Sequence, residues 1–528
     1  MSVHDKEGTH IILVLSISLI KIMWIHINKC NRVKVALNNN GCLRLMSTKT
    51  KGGLNSETAA SFVYTELPNK SYIKLIGPEA PKFLNGLVTT KLLPSFVKKN
   101  LTTISPGDEG KLDASNDTEV KFDDCSSNWG IYNESSYNGS YLSRFGTYTG
   151  FLNSKGKLIS DSIIYPTPVF LSENSLADKK STRHPAYLLE FDSSIVNRIL
   201  GIFETHRLNS KIRYGIVSAN KLKTWEIMIK LPTPPPDHLN PWIENVLDPL
   251  SLVKNTNNAN DLSKNILSML FKEPSDNFKG IYIDRRMDMI LDNDNSSPQL
   301  IRVVTTSEID DIYKYFNKES FPFPVENLKV TPEYFKQYRL KNGLIDGMSD
   351  VKTETIWPLE LNYDFFVNTL SADKGCYLGQ EITHRMISTD LLKKRLLPVK
   401  LVGYEQLSQC NNDGKYKEIT FRRVVNKIKE IEPNVTDPLP SPIYNPFPST
   451  NIPKSQRPVG SLISSEGEDG VALIRTEYFD MIFNDSNRKH RNKLLITLES
   501  EFPDHKPKTI EVIPRIPFWL ESWKENSQ

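Results

Sequence analysis

The chain has 528 residues, 38% of them hydrophobic and 24% charged, with a formal net charge of +4. That composition excludes a wholly disordered chain, a collagen or heptad array and a polytopic membrane protein. Five scattered cysteines, none arranged as C-x-x-C, exclude a disulfide scaffold and leave a cysteine-based zinc or cluster cage without support.

The charge is uneven along the chain. Residues 1–56 carry eight Lys or Arg and two Asp or Glu, so the other 472 residues sum to −2. A near-neutral body has no field that would draw it to nucleic acid. The basic, hydroxyl-bearing stretch without acids between Glu7 and Glu57 has the composition of a mitochondrial targeting leader. Residues 11–27 are strongly apolar but fall short of the ~20 residues that span a bilayer. Lys21 interrupts them, and a central lysine costs ~2.5–3.5 kcal/mol on insertion. A membrane-anchored binding protein is the reading that stretch alone would support; no stable membrane insertion is expected.

Residues 57–390 read as an α+β region. A strand at 71–76 is ended by Gly77-Pro78, and Ala80, Phe83, Leu84, Leu87 and Val88 then form one helical stripe. Residues 96–140, rich in Ser, Asn, Asp and Gly, read as a disordered insertion. Strands at 146–152 and 158–165 flank the turn Asn153-Ser-Lys-Gly156 and form a hairpin. A strand at 187–191 leads to a helix at 195–207 that Asp192-Ser193 would cap. A strand follows at 224–229, and the Pro- and Asn-rich residues 231–278 read as a second disordered insertion. A strand at 300–304, a helix at 308–316 and a helix from Pro332 to about Lys341 complete the region. From 391 to 528 the pattern is strands, at 396–402, 459–464, 470–475, 494–498 and 509–513. A polar insertion at 403–455 interrupts them, and the whole reads as a small C-terminal β-barrel.

The chemistry concentrates in residues 371–385. Gly375 and Gly379 flank Cys376 and allow tight backbone geometry around it. Lys374 and Arg385 make the neighbourhood positive, which favours thiolate over thiol. Gly379 and Gln380 would open a helix carrying Glu381, His384 and Arg385, and its N-terminus would act on the thiol in the same direction. Gln380 and Glu381 offer an amide and a carboxylate to a polar heterocycle or a cation. The plain alternatives are a small buried thiol and a surface ion pair between Glu381 and Arg385. Cys376, Glu381 and His384 make only an incomplete ligand set, and no metal site is assigned. There is no phosphate-binding loop, dinucleotide fingerprint or H-E-x-x-H.

Lys374-Gly-Cys-Tyr-Leu-Gly-Gln-Glu381 resembles the signature K-G-C-Y-x-G-Q-E of the folate-binding, aminomethyltransferase-related family. Further segments agree in order: Ile73–Ala80 with Phe83–Thr89, Tyr148–Lys157 with Asp161, Tyr338–Gly343, Pro358–Asn362 and Gly470–Arg475. With the leader, the likeness is to the family's mitochondrial members that support iron–sulfur cluster assembly, in a fungal form. The resemblance implies an aminomethyltransferase-like tripartite fold, with ferredoxin-like α/β domains and a C-terminal barrel around a central channel for tetrahydrofolate. It implies a place in the mitochondrial matrix and partnership with A-type iron–sulfur carrier proteins. The implied clients are [4Fe–4S] enzymes of the aconitase and radical-SAM types, such as lipoate synthase. Cys376 would be the functional thiol in transient contact with a cluster. Lys374, Gly375, Tyr377, Gly379, Gln380, Glu381 and Arg385 would surround the cofactor. A tetrahydrofolate-dependent aminomethyltransferase is the alternative, although such enzymes lack the Cys motif. Two positions depart from the family pattern: Asp284-Arg-Arg286 stands where relatives often carry Asp-Pro-Arg, and His384 replaces a small or apolar residue.

Overall fold

The computed structural model describes residues 35–37, 43–45, 59–93, 130–135, 138–169, 184–272, 276–371, 374–389, 392–406, 419–424, 458–483, 493–498 and 508–526. No helix among them is long and apolar enough to cross a membrane. Residues 11–27, the rest of the leader's apolar stretch included, lie outside this set. The described residues form two compact units, one running to Pro332 and including Tyr363–Gln380, the other made of Glu333–Asn362 and the chain from Glu381 onward.

In the first unit, β1 (Val35–Leu37) pairs with β2 (Leu43–Leu45). The strands β3 (Ala60–Leu67), β4 (Lys70–Ile76), β5 (Ile131–Ser135), β6 (Gly139–Ser143), β7 (Thr147–Leu152), β8 (Leu158–Pro166), β9 (Ala186–Asp192) and β10 (Arg213–Val217) follow. The unit's strands end with β11 (Leu222–Lys230), β12 (Phe278–Ile283), β13 (Gln299–Thr306) and β14 (Val325–Lys329). One five-stranded sheet has the order β10-β4-β9-β8-β7 and another the order β12-β13-β11-β3-β14, while β5 and β6 form a separate hairpin. Every pairing is antiparallel except β14 with β3. The apolar runs of β8 and β13 are buried along almost their whole length, as expected of strands covered on both faces.

A buried ion cluster joins the two sheets. Arg302 on β13 donates to Glu190 on β9 at 3.0 Å and to Glu226 on β11 at 3.2 Å. All three side chains are at most 4% exposed. Tyr165 on β8 donates to the other Glu190 oxygen at 2.8 Å. Its ring lies where Gly280 leaves room, since a Cβ at Gly280 would stand 2.6 Å from it. Buried charges survive only when paired and hydrogen-bonded, and here that requirement sets the mutual position of the sheets.

The structure corrects several readings of the sequence. Residues 231–278 are not a disordered insertion. They contain the helix Thr256–Leu270, whose N-cap Asn255 accepts from the Asn258 amide. Ala259, Ile266, Leu267 and Leu270 line its buried side, so the asparagines occupy the cap and outer face of an amphipathic helix. Ala259 and Val253 pack against Tyr132 and Leu142 of the β5–β6 hairpin. That hairpin itself begins inside the stretch 96–140, of which residues 96–129 and 136–137 lie outside the described set. The helix expected at 308–316 is only a 3-10 turn, Ile312–Tyr315. Asp192 accepts from the Ser194 amide and hydroxyl rather than capping the helix Val196–Arg207, which starts without a side-chain cap.

The second unit holds a closed antiparallel barrel. Its strands are β15 (Lys394–Val402), β16 (Ile419–Val424), β17 (Gly460–Glu466), β18 (Asp469–Arg475), β19 (Lys493–Leu498) and β20 (Lys508–Pro514), in the order β15-β18-β17-β16-β19-β20. β16 falls in the polar stretch 403–455 and closes the sheet between β17 and β19; the remainder of that stretch beyond residue 406 is outside the described set. Two short helices, Phe479–Phe483 and Leu520–Asn526, accompany the strands. Arg395 donates to the Leu359 carbonyl and lies over the Trp519 ring, tying the 3-10 turn Pro358–Leu361 and the C-terminal helix to β15.

Removing Arg302 takes from Glu190 and Glu226 the guanidinium they share, leaving Lys70, 4.0 Å from Glu190, on one side of the cluster. Arg302→Leu is expected to destabilise the protein by ~3–5 kcal/mol, read as a lower urea midpoint.

Candidate functional site

Two features of the first unit carry chemistry, a loop around Cys376 and a cleft beside the β5–β6 hairpin. The loop is built on the extended segment that follows the helix Ala80–Asn85. Val88 bridges to Phe151 on β7. Thr89 and Thr90 donate their hydroxyls to the Thr369 carbonyl at 2.6 and 3.3 Å, and the Ser371 amide donates back to the Thr89 carbonyl at 3.1 Å. Lys374 is 1% exposed. Its ammonium donates to the carbonyls of Val88 and Thr90 and lies 4.5 Å from the centre of the Tyr377 ring.

Beyond the lysine the chain turns sharply. Gly375 and Gly379 have φ of +86° and +81°, a region that L side chains avoid. A Cβ at Gly379 would lie 2.5 Å from the Asn153 carbonyl oxygen and 2.9 Å from the Leu152 side chain. The motif glycine is thus required by its contact with the β7–β8 turn. The Leu378 amide donates to the Gly86 carbonyl at 3.0 Å. Gln380 accepts from the Tyr377 amide through Oε1 at 3.2 Å and starts the helix Gln380–Thr389.

Between these anchors Cys376 is exposed. Lys374, expected to make the neighbourhood of the thiol positive, has its ammonium turned inward onto main-chain carbonyls. Glu381, His384 and Arg385 are exposed on the helix, and Glu381 and Arg385 form no ion pair among the described residues. No group of three or more His, Cys, Asp or Glu among the described residues is placed to hold a metal. The eight candidate site residues therefore divide by role. Lys374, Gly375, Tyr377, Gly379 and Gln380 build the loop, and Cys376, Glu381 and Arg385 face outward.

None of the eight lines the cleft. That space is narrow, about 20 Å³, and lies between Tyr141, Phe145, Tyr148, Tyr282, Arg285 and Asn368 among others. Arg286 is bidentate to Asp284, at 2.9 and 2.7 Å, and its guanidinium stands 4.1 Å over the Tyr148 ring. Burial alone would push the Asp284 carboxyl up, but the Arg286 guanidinium and the Tyr282 hydroxyl hold it below the usual range. Tyr148 donates to Asp161 at 3.0 Å and stands 3.0 Å from the Tyr363 hydroxyl. Burial pushes the phenols of Tyr141, Tyr148 and Tyr282 up, so all three are neutral at physiological pH. Arg285 donates to Asp288 at 2.6 Å and to Tyr141 at 3.0 Å. Burial pushes the Asp288 carboxyl up to about 6 against the opposing pull of Arg285. Asn368, at φ +55°, donates to Asn133 at 2.9 Å and accepts from the Glu134 amide at 2.7 Å.

Sequence reasoning missed Tyr141, Tyr282, Asn133 and Asn368, which have no local pattern. Arg285 had a signal, since it stands where the resembling family often carries proline.

Known proteins resemble this chain as follows. Residues 393–522 match the C-terminal beta-barrel domain of CAF17. The chain is 43% identical to the mitochondrial iron-sulfur cluster assembly factor IBA57 homolog of Candida glabrata, over 88% of this chain and 92% of the relative. It is 42% identical to the mitochondrial iron-sulfur cluster assembly factor IBA57 of Saccharomyces cerevisiae, over 88% and 90%. A solved aminomethyltransferase T of the glycine cleavage system from Bartonella henselae is similar at TM-score 0.43 and 10% identity, covering 94% of this chain and 97% of that one. The chain belongs to the family of mitochondrial iron–sulfur cluster assembly factors typified by IBA57.

Two predictions follow from the geometry. Gly379→Ala meets a backbone oxygen as well as an unfavourable φ, whereas Gly139→Ala, at φ +68° with nothing within 4 Å of its Cβ, meets only the φ. The Gly139 variant is expected to lose ~1–2 kcal/mol and the Gly379 variant clearly more, as measured by thermal unfolding. Asp288, with a folded pKa above the ordinary ~3.9, binds its proton more tightly when folded. Its contribution to stability therefore falls as pH rises from about 4 to about 6. Asp288→Asn should remove that fall, gaining roughly 2 kcal/mol on wild type between pH 4 and pH 7 in urea melts.

Proposed function

We propose that this chain acts in the mitochondrial matrix in the making of [4Fe–4S] clusters, with Cys376 as the thiol that meets the cluster in transit. The observation that carries the reading is an exposed thiol on a loop whose neighbours are all committed to holding it. Lys374 and Tyr377 are buried, Gly375 and Gly379 supply the turns, and Leu378 is bonded to Gly86. A cysteine kept only for packing would be inside. The cluster is cargo: iron binds the thiolate, the thiol proton passes to water, and the bond is given up when the cluster moves on. Glu381, His384 and Arg385 are exposed on the helix that starts four residues after the thiol, and they are the side chains an A-type carrier or a client enzyme would meet.

Tetrahydrofolate would supply a one-carbon carrier, but the cleft beside the β5–β6 hairpin does not fit its ring as it stands: Phe145, Tyr148 and Tyr282 are each at most 4% exposed, Arg286 covers the Tyr148 face, and the amides of Asn133 and Asn368 are bonded to each other. No step is routed through a folate here. Membership of the assembly-factor family and the complete Cys motif support cluster maturation over one-carbon transfer.

In cells that depend on this chain, Cys376→Ala is expected to lower aconitase activity and protein lipoylation at least about fivefold with the protein's abundance unchanged. Wild-type activities in both assays would remove the thiol from the function.

A further inference from the structure

Resting on Cys376 as the thiol that meets the cluster, we infer that Lys82, Lys155 and Lys157 form a cationic rim that draws a thiolate-held iron–sulfur cluster, an anion, to that thiol.

The chain on either side of Cys376 carries no net charge. Over residues 371–385, Asp373 and Glu381 offset Lys374 and Arg385, and Lys374 is turned inward onto the carbonyls of Val88 and Thr90. The positive charge comes instead from the two elements on which the loop is seated. Leu378 donates its amide to the carbonyl of Gly86, the cap of the helix Ala80–Asn85 that carries Lys82. Gly379 lies against the β7–β8 turn, where its Cβ would stand 2.5 Å from the Asn153 carbonyl oxygen and 3.0 Å from Gly156 Cα. Lys155 and Lys157 flank Gly156, and both donate their amides to Asn153 Oδ1 at 3.0 Å. The turn that meets the motif glycine therefore has a lysine fixed on each side of the contact. Lys82 and Lys155 are exposed and Lys157 is half-buried. Residues 80–93 and 147–160 contain no Asp or Glu, so neither element brings a carboxylate with its lysines. Glu79, just before the helix, is turned to the Lys211 amide. These cations beside an exposed thiol stand out against a body that sums to −2.

The thiolates that hold a [4Fe–4S] cluster outweigh its cationic core, so the unit approaches as an anion. In the transfer itself the Cys376 sulfur binds one iron as the donor's thiolate leaves it, and the Cys376 proton passes to the departing thiolate. No electron moves, and the cluster keeps its charge. The lysines act before that exchange, by raising the rate of encounter. An ammonium has donors and no lone pair, so it attracts the cluster without competing for its iron, as a histidine or a carboxylate on the rim would.

Uptake by the purified full-length protein from a [4Fe–4S] cluster ligated by mercaptoethanol tests this, the iron held by Cys376 being the part absent from Cys376→Ala. Lys82→Gln, Lys155→Gln and Lys157→Gln combined are expected to slow uptake about tenfold at about 10 mM salt, where charges act over about 30 Å. The difference should vanish at about 1 M, where they act over about 3 Å. Replacing the same three lysines by arginine should keep the wild-type rate. In the glutamine variant, thiol exchange at Cys376 should slow by a similar factor with dianionic dithiobis(nitrobenzoate) and by less than about twofold with neutral dithiodipyridine. Should Lys157→Gln unsettle the turn, the Lys82→Gln, Lys155→Gln pair gives the same reading with a loss of about fourfold. Uptake within about twofold of wild type at low salt overturns the inference and leaves the thiol reading standing. Equal slowing with both disulfides overturns it as well, because the lysines would then act through the shape of the loop. A wild type that retains no more iron than Cys376→Ala overturns both.

Discussion

A buried ammonium fixes the loop on which the function depends. Lys374 has to bring a charge into the interior, and an ammonium there must be met by oxygens. It finds the carbonyls of Val88 and Thr90, nearly three hundred residues earlier in the chain. With Thr369 bonded to the hydroxyls of Thr89 and Thr90, this stitches the chain on the amino side of Cys376 to the segment that follows the helix Ala80–Asn85. Gly379 does the same on the other side by admitting the β7–β8 turn within van der Waals contact. The thiol is exposed because both of its flanks are not.

The cleft rests on a second set of buried charges. Arg302 with Glu190 and Glu226 holds the two sheets together, and β12 and β7, which supply Tyr282 and Tyr148, belong to one sheet each. Asp284 and Arg286 then shape the turn after β12. In both places the cations are committed to structure, so a net charge near zero in the body coexists with strongly charged interior sites.

The helix Thr256–Leu270 shows how composition can mislead. Its asparagines suggested a disordered stretch, yet Asn255 caps it and Ile266, Leu267 and Leu270 are buried. Its neighbours Val253 and Ala259 back the β5–β6 hairpin, whose Tyr141 forms part of the cleft. Amphipathic spacing was present in the sequence, but polar content outweighed it in the reading. The 3-10 turn Ile312–Tyr315 is the opposite case, a stretch read as a helix that forms one short turn capped by Asp311.

Local pattern by itself determined the strands and helices with regular spacing, the β-rich C-terminal barrel, the Asn153–Gly156 hairpin turn and the eight-residue motif around Cys376. These depend on periodicity, turn chemistry and contiguous residues, all of which a linear chain displays. Only the tertiary structure decided that Lys374 points inward, that Gly379 is required by the Asn153 carbonyl, and that Tyr141, Tyr282, Arg285 and Asn368 share a cleft. Each of those outcomes depends on which distant oxygen, ring or backbone meets a side chain once the interior has excluded water, and contacts between residues hundreds of positions apart leave no period in the sequence.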